Sequence, residues 1–177
     1  MAKFSPAIRK QAEKLYTELD AELVTQRASL DKMLASLETG DIRRGQAVFH
    51  SDKAACFSCH AIGYRGGNIG PDLTQVGRIR DARDLLESIV YPSASFVRSY
   101  EPVVVTTTTG KTHSGLIRKE SPEEIILATS ATEQVRIPRN RIEAMAPGKV
   151  SVMPAGMDKV LTPRELADLV AFLKACK

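Results

Sequence analysis

Apolar residues in the stretch 5–38 return every three, four or seven positions, at Ala12, Leu15, Leu19, Leu23, Leu30, Leu34 and Leu37. That is the period of one helical face. A continuous helix over this stretch makes a rod of about 51 Å at the usual rise per residue. Ser5-Pro6 suits its start, and Thr39-Gly40 its end, because glycine accepts the left-handed conformation of a terminating helix. The intervening Lys, Glu, Gln, Arg and Asp wet the other face, so the single stripe needs a partner surface. Asp41 caps a second, shorter helix through Ile42, Val48 and Phe49 to about His50. Gly63, Gly66, Gly67, Gly70, Pro71 and Gly77 then mark a loop with one helical turn near Leu73 and Val76. Residues 81–90 read as another helix, stopped by Pro92.

Past that proline the pattern switches from helical to strand-like. Residues 100–109 are dense in Val and Thr, Gly110-Lys111 is a turn, and 112–118 continues in strand residues until Ser121-Pro122. Segments 125–129, 134–137 and 141–145 complete five short strands. Thr162-Pro163-Arg164-Glu165 supplies an N-cap, a first-turn proline and a capping-box Glu, with Leu166, Leu169, Val170, Phe172 and Leu173 behind it at helical spacing. The chain therefore divides into a leading helix (1–40), a mixed helix and loop segment (41–97), a β-rich segment (98–146) and a loop with a terminal helix (147–177).

Composition adds limits. At 43% apolar and 26% charged, the 177 residues are ordinary globular material and enough to bury a core. The net charge of +4 is spread without a basic block, which argues against a nucleic-acid partner. No apolar run approaches the ~20 residues of a membrane span, and none stands at the start as an export signal, so a soluble polypeptide without an address of its own is expected.

The chemistry concentrates in Cys56-Phe57-Ser58-Cys59-His60. Two thiols separated by two residues can add to the two vinyl groups of one porphyrin, and the next residue's imidazole then reaches the iron. Haem c, attached through Cys56 and Cys59 with His60 as axial ligand, is the leading reading. A zinc site would have to be completed by Cys176, His50 or His113, without the second ligand pair such sites show. A dithiol redox pair would need a βαβ context that is missing. A closed haem site takes a second axial ligand, for which Met33, Met145, Met153, Met157, His50 and His113 are the candidates. Met33 and Met145 read as core packing and the two histidines as local structure. Met153 and Met157 stand out because they sit in a Pro/Gly-containing loop, where filler has less purpose. Arg65, Arg78, Arg80 and Arg83 lie near the glycine-rich loop, and one of them could pair with a haem propionate. Cys176, one residue from the end, reads as an exposed thiol.

On these residues the chain resembles class I cytochromes c, and more narrowly the c-type cytochrome domains of planctomycetes and verrucomicrobia. The matching elements are Gly45-Gln46-Ala47-Val48-Phe49, the motif at 56–60, Gly70-Pro71-Asp72-Leu73, Tyr91-Pro92-Ser93, and Val152-Met153-Pro154 ahead of the terminal helix. Together they span roughly residues 41–177. The resemblance implies that Met153 is the distal ligand, that the Pro71 carbonyl accepts from the His60 imidazole, and that the helices over 43–50 and 163–175 cross.

It also implies a mainly α cytochrome c fold, preceded by the long N-terminal helix and carrying the β segment as a small SH3-like barrel. The function expected is electron transfer by one covalently bound haem c, not catalysis by this chain itself. The rivals are a peroxidase-like haem enzyme with an open distal side and a haem-based sensor or interaction module. A redox partner protein or a parent dehydrogenase domain is the expected partner, and the N-terminal stripe leaves a second copy of the chain open as another. Family relatives sit at the end of larger exported dehydrogenases. Met1-Ala2-Lys3 without a leader then fits a fragment of a periplasmic or exported parent.

Overall fold

The computed structural model describes residues 5–37 and 39–177, apart from the side chains of Pro6, Arg9, Leu19, Asp20 and Glu22. The Met1-Ala2-Lys3 start, the Leu19 side chain of the predicted stripe and the helix end at Glu38 lie outside the described residues. The chain separates into two units, Met1–Ser36 and Leu37–Lys177. The first is the leading helix, α1 (Pro6–Ser36), with Ile8, Leu15, Tyr16, Leu23 and Val24 exposed along it. In its last turn the Ser36 hydroxyl donates to the Met33 carbonyl at 2.8 Å. Gly40 does not stop the helix as predicted, for its φ is not positive. Its reason is proximity: a Cβ there would lie 2.1 Å from the Ala167 carbonyl oxygen.

In the second unit the helices are α2 (Ile42–His50), α3 (Cys56–Cys59), α4 (Val76–Ile79), α5 (Ala82–Val90), α6 (Met157–Val160) and α7 (Pro163–Ala175). Caps set the ends of the longer ones. The Asp41 and Asp81 carboxylates each accept from the backbone N–H three residues on, at 2.8 Å, and Thr162 with Glu165 forms the predicted capping box. α2 packs across α7 at Gly45, where a Cβ would meet the Asp168 carbonyl oxygen at 1.9 Å and the Phe172 Cβ at 2.7 Å. Only glycine permits that approach. Phe49 is fully buried in the crossing, its ring centroid 5.6 Å from that of Phe172. Between α3 and α4 a small hairpin, β1 (Ala61–Ile62) and β2 (Arg65–Gly66), turns through Gly63 and Tyr64, both at positive φ.

The β-rich segment folds as β3 (Val103–Thr107), β4 (Thr112–Glu120), β5 (Glu124–Ala128), β6 (Gln134–Pro138) and β7 (Ile142–Pro147). They form one antiparallel sheet in the order β6-β5-β4-β3-β7. One face buries Val105, Ile125, Leu127 and Ile137 as a core of its own. The other presents Leu116 and its cross-strand partner Ala128 to Ile69, Cys59, Tyr100 and Val152.

The expected mainly α cytochrome c fold is corrected by this sheet. With 43% of the described residues in helix and 20% in strand, the fold is mixed α/β, and the segment over 98–146 is a five-stranded antiparallel sheet rather than a small barrel added to a helical protein. The reason lies in element lengths: three helices of the second unit have only four residues each. Backbone pairing across five strands thus accounts for much of this unit's regular structure.

Candidate functional site

α3 is a single turn, closed by the His60 N–H donating to the Cys56 carbonyl at 2.9 Å. Ala55, at φ 48°, reverses the chain immediately before it. Phe57 seats the turn on α2, its ring centroid 6.4 Å from Phe49 and 4.7 Å from His50. Cys56 and Cys59 are both free thiols. Burial pushes the Cys56 thiol up to about 11, so at neutral pH it remains protonated.

The glycine-rich segment after α3 folds back along it. Gly67, Gly70 and Leu73 donate their N–H groups to the carbonyls of Phe57, Cys59 and Ala61 at 2.9, 2.8 and 2.9 Å. Glycine is required where the two strands of chain touch: at Gly67 a Cβ would lie 2.0 Å from the Ser58 carbonyl oxygen, and at Gly70 it would lie 2.5 Å from Cε1 of the His60 ring. The ring is further fixed by His60 Nδ1, 2.8 Å from the Pro71 carbonyl oxygen. A carbonyl only accepts, so Nδ1 carries the proton and Nε2 keeps its lone pair. Burial lowers the imidazole's pKa against the opposing effect of that hydrogen bond, which favours the neutral ring.

His60 lines a cavity of about 300 Å³, together with Cys59, Ile69, Pro71, Leu85, Ile89, Tyr100, Leu116, Val152 and Met153. The rim carries Ile79 and Val97, 75% and 46% exposed. Met153 reaches the wall from the loop before α6, whose backbone is tied down in two steps. The Ser151 N–H donates to the Ser93 hydroxyl at 3.0 Å, and the Met153 N–H to the Ser151 hydroxyl at 3.1 Å. Met145, Met157, His50 and His113 are not among the residues lining this cavity, and Met33 belongs to α1 in the first unit. Met157 begins α6 instead of lying in an irregular loop. Met145 is 39% exposed on β7, not core as expected. His50 is exposed, its Nδ1 2.9 Å from the Gln46 carbonyl oxygen. Of the four arginines, Arg80 lines the cavity, and its guanidinium stands 3.8 Å from Asp84.

A neutral imidazole with a free Nε2, a thioether and a neighbouring thiol around an apolar cavity are a donor set that fits a haem iron and its porphyrin. Among the described residues no three His, Cys, Asp or Glu side chains gather as a closed zinc site would need. Cys176, expected exposed, is buried in α7's C-terminal turn, its Sγ 3.4 Å from the Phe172 carbonyl oxygen. Sequence reasoning missed Ser93, Ser151, Tyr100 and Leu116. Only Ser93 carried a signal, within Tyr91-Pro92-Ser93. No protein-family model matches the chain, and no curated protein matches it.

Proposed function

We propose that this chain is an electron-transfer protein that holds one haem c, with His60 and Met153 as axial ligands. The observation that carries the reading is His60, its Nδ1 anchored on Pro71, facing a largely apolar cavity that Cys59 and Met153 also line. Bound there, haem supplies a one-electron iron couple. Cys59 on the cavity wall, and Cys56, which is not among the lining residues, would provide the two thioether links. His60 offers Nε2 in a fixed orientation, and Met153 offers a soft sulfur that favours the reduced iron and raises the potential. Leu85, Ile89 and Leu116 exclude water, which acts on the potential in the same direction. The exposed apolar rim at Ile79 and Val97 is where a redox partner would approach. Haem c attachment belongs to an export compartment, which makes the protein periplasmic or exported, and a module of a larger dehydrogenase is the setting that the resemblance suggests.

Maturation of the full chain with a haem c assembly system tests this directly. The peptide carrying Cys56 and Cys59 should gain a covalent haem mass, and the ferric spectrum should contain the weak sulfur-to-iron band. Met153→Ala should remove that band, while the reduced wild type should resist carbon monoxide. A chain without a covalent adduct overturns the reading. A spectrum indifferent to Met153→Ala removes this residue from the iron and reopens the enzyme and sensor alternatives.

A further inference from the structure

The sheet contributes to the cavity wall through Leu116, which lies outside both ligand-bearing segments. Leu116 on β4, 7% exposed, and Ala128 on β5, 2% exposed, stand opposite each other in the sheet and pack with Ile69, Cys59, Tyr100 and Val152. Cys59 and Ile69 flank the chain that presents His60, for Cys59 precedes it and Ile69 precedes Gly70-Pro71. Val152 immediately precedes Met153. Two segments more than eighty residues apart in sequence thus join one apolar cluster with these two side chains. A hydrogen bond reinforces one side: Arg118, two residues beyond Leu116 on β4, donates from Nη1 to the Asn68 carbonyl at 2.7 Å.

We infer that β4 is the positioning element of the site: Leu116, backed by Ala128, sets the spacing between the His60 segment and the Met153 segment, and Arg118 holds the near end of the loop. Leu116 is a positioning residue that acts through Val152 and Ile69. The inference rests on the proposed axial pair for its meaning at the iron, but the seating of the two segments exists without haem.

Two measurements separate these levels. In the full chain without haem, Leu116→Ala should speed amide exchange at Met153 and Gly70 by about tenfold, because local opening follows lost packing. Leu127→Ala, an equal truncation in the core on the opposite face of the sheet, should leave those two amides alone. In the haem-loaded full chain Leu116→Ala should weaken the sulfur-to-iron band, admit carbon monoxide to the reduced form and lower the potential, and Leu116→Met, similar in volume, should restore all three. Should Leu116→Ala fail to fold, Leu116→Val must show the same pattern in smaller measure. Equal effects of the Leu116 and Leu127 truncations on Met153 and Gly70, or none from either, overturn the inference. If Met153→Ala leaves the loaded spectrum unchanged, the axial assignment fails, and the exchange comparison still decides whether β4 seats both segments.

Discussion

The His60 ring is held on two sides. The Pro71 carbonyl accepts a hydrogen bond from Nδ1, and the backbone of Gly70 lies so near the ring that a Cβ would come within 2.5 to 2.9 Å of three of its atoms. A methyl group at position 70 must displace either the ring or the loop, since the three hydrogen bonds donated by the Gly67, Gly70 and Leu73 N–H groups pin the backbone. Gly70→Ala should therefore destabilise the haem-free chain by about 1–3 kcal/mol, the usual cost of overpacking. It should also lengthen the His60 to Pro71 bond. Urea unfolding gives the first quantity, and the nitrogen resonances of the His60 ring give the second. Unchanged ring signals would show that the loop yields and the imidazole does not depend on it. The thiols and the imidazole are legible in the sequence because Cys-x-x-Cys-His holds all three within five consecutive residues. The need for glycine at 70 is not, because it arises from a contact across ten residues and not from a backbone angle.

Between elements, the crossing of α2 and α7 turns on one buried carboxylate. Asp168 accepts from the Asp41 N–H at 2.6 Å and from Arg44 Nε and Nη2 at 2.7 and 3.1 Å, with its side chain 3% exposed. The Arg44 hydrogen bonds hold its pKa below the ordinary aspartate value, against the contrary effect of burial. Glu165, gripped by Lys53 and the Thr162 cap, is also lowered, to about 2. Both carboxyls are more acidic folded than unfolded, so their stabilisation is present above the ordinary carboxylate range and is lost as pH falls through the folded values. Asp168→Asn should cost about 2 kcal/mol at pH 7, as hydrogen bonds to a charged group are worth, and should flatten the fall in stability below about pH 4. Melts between neutral and acid pH measure both, and an unchanged acid limb would exclude Asp168 as its source. The helices themselves are readable from caps at Asp41 and Thr162 and from the stop at Pro92, whereas the Asp81 cap shows only in the structure. Asp168 was hidden because it stands in the terminal helix as an apparently ordinary polar residue.

Across the second unit, the decisive feature is that helices and sheet share one wall. The five strands were readable from Val and Thr density and from the turns between them, and the terminal helix from its capping box. Their relation was not. β5 runs Ile125, Ile126, Leu127 and Ala128, all buried, so alternation cannot tell which residues serve the sheet's own core and which the cavity. The short turns also escaped, for Cys56–Cys59 and Met157–Val160 are too brief to show a period. A sheet acting as a separate domain would melt on its own, whereas one completing the cavity must melt with the helices that complete the rest. Leu127 in the sheet core and Leu169 on α7, each about as buried as a side chain can be, provide a probe in each layer. In a urea titration of the haem-free chain their methyl resonances should disappear with one common midpoint and one common slope, the signature of a single cooperative transition. Earlier loss of the Leu127 signal, with Leu169 still native, would make the sheet an independent layer. The wall formed by Leu116, Ile69 and Val152 would then be a contact between two bodies instead of part of one core.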